Sequence, residues 1–151
     1  MLKNVGSIGL GAMGGSYAKH LLENKFNVYG VDPDKDSLKS FKSHGGIICS
    51  NISHLFEKSD VIILSLPTIS IFKQVINEIA KNKTFLKNKI IIDMNTISLE
   101  DKVEAKDALD KINISFVDAP VSGTGAQAKS KDLVVMSSGL ENIVRDCDAI
   151  F

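Results

Sequence analysis

Three glycines pose the first chemical question. Gly9, Gly11 and Gly14 stand at the spacing G-x-G-x-x-G within IGLGAMGG, residues 8–15. Without a Cβ, such a backbone turns tightly and lets another molecule come close to its N–H groups. Two uses compete: the glycines only shape a turn, or they clear space for a phosphate. The pattern is too short to decide, but its surroundings are informative. NVGSIGL (4–10) reads as a short buried strand, and from Ala12 the residues Tyr17, Ala18, Leu21 and Leu22 recur at helical spacing until about Lys25. A glycine loop between a strand and a helix start presents free N–H groups and the positive end of the helix dipole, which together hold phosphates. The stretch Gly9, Leu10, Gly11, Ala12, Met13 and Gly14 is therefore expected to lie against a pyrophosphate.

A dinucleotide site also needs an acid at the end of the second strand, to accept hydrogen bonds from ribose hydroxyls. Asp32 closes FNVYGVD (26–32), about eighteen positions after Gly14. An aspartate in DPD can equally just start a turn; its distance from the glycines favours the ribose. A carboxylate here repels the 2′-phosphate of NADP, and no arginine follows to offset it, only Lys35. NAD is thus expected in preference to NADP. Methyltransferases that bind S-adenosylmethionine use a similar sheet, but usually carry an acid just before the glycine loop, where this chain has Ser7.

The elements that position these residues alternate. Asp34 is expected to cap a short helix with Leu38 and Phe41 inward, stopped by HGG at 44–46. VIILSLP (61–67) is a near-continuous apolar run, as in a parallel strand covered on both faces. Ile71, Phe72, Val75, Ile76 and Ile79 then form a helical stripe. KIIIDM (89–94) reads as a strand, and residues 99–112 as a charged helix with Val103 and Leu109 inward. ISFVDAP (114–120) and LVVMSS (133–138) are expected as two further strands, and residues 141–151 as a closing helix. This order predicts an α/β fold: a Rossmann-type, doubly wound, mainly parallel sheet in a single domain spanning residues 1–151.

Composition narrows the classes of function. The 151 residues carry 18 basic and 18 acidic side chains, without the basic stripe of a nucleic-acid binder. No apolar run is long enough for a membrane span. Asn4, Gly6 and Ser7 interrupt the start, so no secretory leader is expected there. Cys49 and Cys147 form neither a disulfide framework nor a zinc spacing, and no metal site is expected. A cytoplasmic protein is the default.

Four pieces stand in order over nearly the whole chain: IGLGAMGG, LSLP (64–67), DMNTIS (93–98) and DAPVSG (118–123). In these the sequence resembles the β-hydroxyacid dehydrogenases, the group that includes 3-hydroxyisobutyrate dehydrogenase and tartronate semialdehyde reductase and is related to 6-phosphogluconate dehydrogenase. DAPVSG is the most specific piece. The resemblance implies that Leu66 and Pro67 lie along the cofactor and Thr96 near the nicotinamide ribose. It places Ser122 and Gly123 against a substrate carboxylate. The implied reaction is reversible NAD- or NADP-dependent oxidation of a small 3-hydroxy acid to its semialdehyde.

In this family the lysine that moves the hydroxyl proton lies on a helix beyond the cofactor domain. By resemblance it falls past Phe151, so no catalytic residue is expected in this chain and no turnover by it alone. The lysines on the expected helices read as solvated charges. The helical substrate and dimerisation domain would follow, so homo-oligomers are expected mainly through that part. An exposed sheet edge and an apolar tail would add self-association. Thr124, Gln127 and Lys131 stand where the family commonly has glycine, and Asn95 where serine is common, so the substrate loop departs from the pattern. Two rival readings differ in class: a stand-alone NAD-binding regulatory module, and the cofactor domain of an imine reductase.

Overall fold

In the computed structural model, which describes residues 2–82 and 88–151, the valine- and isoleucine-rich runs become strands of one sheet. They are β1 (Asn4–Ile8), β2 (Asn27–Val31), β3 (Ile47–Ile48), β4 (Val61–Leu64), β5 (Lys89–Asp93) and β6 (Ile114–Asp118). Their spatial order is β3-β2-β1-β4-β5-β6, and every pairing is parallel. The chain first builds outward from β1 through β2 to β3, then returns to the other side of β1 with β4. The strand order thus reverses between β1 and β4. In open α/β sheets the crevice at such a reversal, outside the carboxyl ends of the strands, is where ligands bind.

The helices are α1 (Ala12–Glu23), α2 (Lys35–Ser43), α3 (Ile52–Lys58), α4 (Ile69–Lys81) and α5 (Leu99–Asp110). They cover both faces of the sheet. On one face Ile62, Leu64 and Ile91 pack with Phe56, Phe72 and Leu109 of α3, α4 and α5. On the other, Val61, Ile63 and Ile92 pack with Leu10, with Ala18 and Leu21 of α1, and with Phe41 of α2. All four side chains of β4 are at most 1% exposed. At about 1.5–3 kcal/mol each, they anchor the central strand whose end forms one wall of the crevice.

Local chemistry sets the helix starts. Side chains of Asp34, Asn51, Thr68 and Ser98 accept backbone N–H bonds at the N-termini of α2, α3, α4 and α5. Helix α1 is different: Gly11 occupies its N-cap and supplies no side-chain bond. Its first turn therefore keeps donors that no capping side chain satisfies.

Several expectations need correction. The strands end earlier than their apolar runs suggest, with Leu10, Ser65–Pro67 and Ala119–Pro120 already beyond β1, β4 and β6. LVVMSS is not a further strand of the parallel sheet. Only β8 (Val134–Val135) forms there, antiparallel to β7 (Val121–Ser122) in a separate two-stranded sheet. Val134 and Met136 are exposed, so no second layer covers this run as a parallel strand would need. Between β7 and β8 lies α6 (Gly125–Ser130), opened by a capping box in which Thr124 and Gln127 bond each other's backbone N–H. The closing helix α7 covers only Glu141–Asp146 and ends at Cys147, with Phe151 exposed. Val103 of α5 points outward, half exposed, and Lys102 takes the inward position.

The two cysteines are free and buried against opposite faces of the sheet. Burial pushes the Cys147 thiol up to about 11, leaving it little nucleophilic character at neutral pH. Among the described residues, no helix is long and apolar enough to cross a membrane.

Candidate cofactor site

The three opening glycines separate into two kinds. Gly9 has φ +93°, and a Cβ on it would lie 2.0 Å from the Ser65 carbonyl oxygen. A Cβ on Gly14 would lie 2.1 Å from the Gly9 carbonyl oxygen. These two are required by the fold itself: one for the left-handed turn beside β4, the other for close packing of α1 on the loop. Gly11 is unlike them. Its φ is −63°, which any residue adopts, and a Cβ there would meet nothing within 4 Å. Nothing in the described protein requires a glycine at this position. The space its missing side chain leaves open lies directly over the uncapped start of α1.

Asp32, just after β2, faces this loop. One carboxylate oxygen accepts the Leu10 N–H at 2.6 Å, and the other accepts the Asp34 N–H at 2.7 Å. The Gly9 N–H also bonds the Val31 carbonyl at 3.1 Å. The acid therefore ties the glycine loop to the end of the second strand and fixes their separation. Each carboxylate oxygen has a second lone-pair direction to offer a hydroxyl group. Leu10 contributes through its backbone; its side chain is buried in the core with Phe41.

Two clefts flank the loop. One, of about 490 Å³, is lined by Gly9, Asp32, Pro33, Leu66, Pro67 and Ile71, among others. The other, of about 470 Å³, runs past Leu10, Gly11, Ala12, Ser16 and Lys19 toward Asp34. The first is mostly apolar, with Asp32 and Glu78 as its two acids, a lining suited to a flat heterocycle joined to a sugar. Thus Gly9, Asp32, Leu66 and Pro67 meet in one cleft, and Leu10, Gly11 and Ala12 in its neighbour. Met13 is half-buried and Gly14 buried in the first turns of α1.

Thr96, Ser122 and Gly123 line neither cleft. They are exposed beyond the carboxyl ends of β5 and β6. Gly123 has φ +145°, so the turn after β7 needs glycine there. Ser122 lies within β7, opposite Val134.

Between these groups lies a buried charge cluster that the sequence reading missed. Lys102 of α5 places its Nζ 2.5 Å from Asp93 Oδ2 and 2.6 Å from Asp118 Oδ1, and donates to the Asn95 carbonyl at 2.7 Å. Burial pushes the Asp93 carboxyl up from its ordinary range, against the opposing pull of Lys102 and of the Asn95 hydrogen bonds. The signal was present in the sequence. Two acids close the adjacent strands KIIID and ISFVD, and the fully buried carboxylate of Asp93 beside the partly buried one of Asp118 calls for a cation.

A glycine loop at the reversal point of a doubly wound parallel sheet, faced by an acid after the second strand, defines a class: the Rossmann-type NAD(P)-binding domain. Residues 4–151 match the family described as the NAD binding domain of 6-phosphogluconate dehydrogenase, and the chain belongs to that family. Among curated relatives, the mitochondrial 3-hydroxyisobutyrate dehydrogenase of Rattus norvegicus is 34% identical over 142 residues, which are 91% of this chain and 42% of the relative. A solved Mycobacterium tuberculosis 3-hydroxyisobutyrate dehydrogenase with L-serine superposes with a TM-score of 0.93 at 25% identity, covering 99% of this chain and 51% of that one. An imine reductase from Pseudomonas sp. shares the fold, with a TM-score of 0.89 at 20% identity over 99% of this chain and 51% of its own. The chain thus spans less than half the length of the curated relative and about half that of the solved ones.

Proposed function

We propose that this chain is the cofactor half of an oxidoreductase that interconverts a small 3-hydroxy acid and its semialdehyde, using NAD in preference to NADP. The observation that carries the dinucleotide reading is Gly11, a glycine the fold does not need, standing open over a helix start without a cap. In this reading the N–H groups from Gly11 to Gly14 receive the pyrophosphate, and Asp32 accepts from the adenosine ribose. Leu66 and Pro67 flank the cofactor, with Thr96 toward the nicotinamide ribose. The nicotinamide, when bound, supplies two-electron hydride chemistry. Ser122 and the Gly123 N–H hold the substrate carboxylate, supported by the match of DAPVSG to the family.

The preference for NAD rests on the charge of Asp32. The 3-hydroxy acid is favoured over an imine because the Rattus norvegicus relative, at 34% identity, acts by its name on a hydroxy acid. The proton-handling group and an oligomeric interface are assigned to a helical domain outside residues 1–151. We place the chain in a reducing compartment such as the cytoplasm, because two cysteines in 151 residues are no disulfide framework.

Calorimetric titration of the chain with NADH and NADPH, followed by an assay of NAD reduction with a panel of 3-hydroxy acids, tests this reading. The expected outcome is binding of both cofactors, NADH more tightly, and no turnover. Positioned acid–base groups contribute on the order of 10²–10⁴ in rate, and they are assigned elsewhere. Failure to bind either cofactor would end the proposal. Turnover by the chain alone would place the proton-handling group within residues 1–151.

A further inference from the structure

The geometry points to Lys102 as the positioning residue of the strand-end edge. Its buried ammonium holds both the Leu66 wall of the cofactor cleft and the turn that carries Ser122 and Gly123. What those walls receive rests on the dinucleotide reading above.

Lys102 belongs to the inward stripe of α5 with Ala105 and Leu109 and is 6% exposed. An ammonium has three N–H donors. Here it donates to Asp93 Oδ2 and the Asn95 carbonyl and forms an ion pair with Asp118, whose buried Oδ1 lies 2.6 Å away without a hydrogen bond of its own. They belong to the ends of two adjacent strands, β5 and β6, and to the loop that follows the first. With two donors engaged in hydrogen bonds and the charge paired to Asp118, the ammonium is held at the junction of the two strands, and the groups it holds share that restriction.

Two arms lead from it. In the first, Asp93 uses its other oxygen, Oδ1, to accept the Asn95 side-chain amide at 2.5 Å and the Asn95 N–H at 3.2 Å. These bonds fix the rotation of the amide, so that Asn95 Oδ1 accepts the Leu66 N–H at 2.7 Å. Leu66 follows β4 and lines the cleft with Asp32 and Pro67. A continuous relay therefore runs from Lys102 through Asp93 and Asn95 to the cofactor wall. In the second arm, Lys102 holds Asp118, the last residue of β6, while the Ala119 N–H bonds the Asp93 carbonyl at 2.8 Å. The turn to Ser122 and Gly123 starts from this pair.

A buried ion pair that served only the core would leave these loops unaffected by its removal. Here one arm ends at Leu66, which lines the cofactor cleft, and the other at the start of the turn that leads to Ser122 and Gly123. Charge-assisted bonds are short and directional, and sites depend on neighbours that lock their geometry.

The test uses the chain itself and two readouts: NADH affinity by calorimetry, and the amide resonances of Leu66 and Gly123 by NMR in the ligand-free protein. Lys102→Met removes the ammonium and keeps its length. It is expected to shift both resonances and to weaken NADH binding about tenfold, as misplaced positioning groups do. The double variant Lys102→Met with Asp93→Asn restores the local charge balance. Its new amide N–H groups can donate where the ammonium did, so it is expected to recover most of the lost affinity.

Should Lys102→Met not fold, Asn95→Ala cuts the relay without stranding a charge. It is expected to shift Leu66, leave Gly123 in place and weaken NADH about fivefold, a smaller loss because one arm survives. A folded Lys102→Met or Asn95→Ala with unshifted Leu66 overturns the proposal. So does unchanged NADH affinity in either variant, given that the unsubstituted chain binds NADH. If the unsubstituted chain does not bind NADH, the dinucleotide reading fails, and the amide shifts still decide the relay.

Discussion

Gly9→Ala and Gly11→Val are expected to damage the protein in opposite ways. An alanine at Gly9 would hold an L-residue at φ +93° and press its Cβ against the Ser65 carbonyl at 2.0 Å. Backbone strain and overpacking together cost about 3–5 kcal/mol, a large share of the ~5–15 kcal/mol typical of a folded domain. Urea denaturation is expected to show a midpoint collapse or no folded baseline. Gly14→Ala should behave similarly, because its Cβ would meet the Gly9 carbonyl at 2.1 Å. A Cβ at Gly11 meets no protein atom within 4 Å, so Gly11→Val should cost only the loss of a favoured N-cap residue, about 1 kcal/mol, and remain folded. Its β-branched side chain would nevertheless fill the space above the first turn of α1, and NADH affinity should fall about 100-fold, roughly 2.7 kcal/mol. Undiminished NADH binding by Gly11→Val would show that no phosphate passes over that glycine.

Asp32 is expected to control the choice between the two cofactors. A unit charge pair about 5 Å apart costs about 3 kcal/mol at an effective dielectric of ~20, which is about 100-fold in affinity. The unsubstituted chain should therefore bind NADH about 100-fold more tightly than NADPH, and Asp32→Ser should remove most of that ratio. The variant also loses the carboxylate that accepts the Leu10 and Asp34 N–H bonds. A stability loss of about 1–3 kcal/mol should accompany the change. The two effects separate experimentally: the ratio of affinities reports the ribose, and the unfolding midpoint reports the loop. A ratio that does not move in a folded Asp32→Ser would remove the acid from the ribose site.

The parallel sheet and the glycine loop were legible because each is written in local chemistry. Ile62, Ile63 and their neighbours are buried on both faces, so their run is continuous. Asp34 caps α2 as its position before a helical stripe suggests. What escaped was tertiary in origin. Hydrophobicity alone puts Val103 inward on α5, yet the buried stripe is Lys102, Ala105 and Leu109. A lysine wins that place only because Asp93 and Asp118 close neighbouring strands, a fact of sheet order rather than of sequence spacing. Short elements escaped for a different reason. β3 and β7 are two residues each, and α3 is seven, below the length at which periodicity speaks. Of the site, Gly9, Gly11 and Asp32 were readable from spacing. The separate roles of Gly9 and Gly11 were not, because only the position of the Ser65 carbonyl distinguishes them.

The central claim is that a dinucleotide lies across the reversal point with its pyrophosphate over Gly11. Titrating NADH into the ¹⁵N-labelled chain and following every backbone amide by NMR tests it most directly. The account predicts that the largest shifts fall on Leu10–Gly14 at the start of α1, with a second group at Asp32–Asp34 and Leu66. Saturating NADH that moves no amide in Leu10–Gly14, or that moves only residues of β7, β8 and α7, would contradict it.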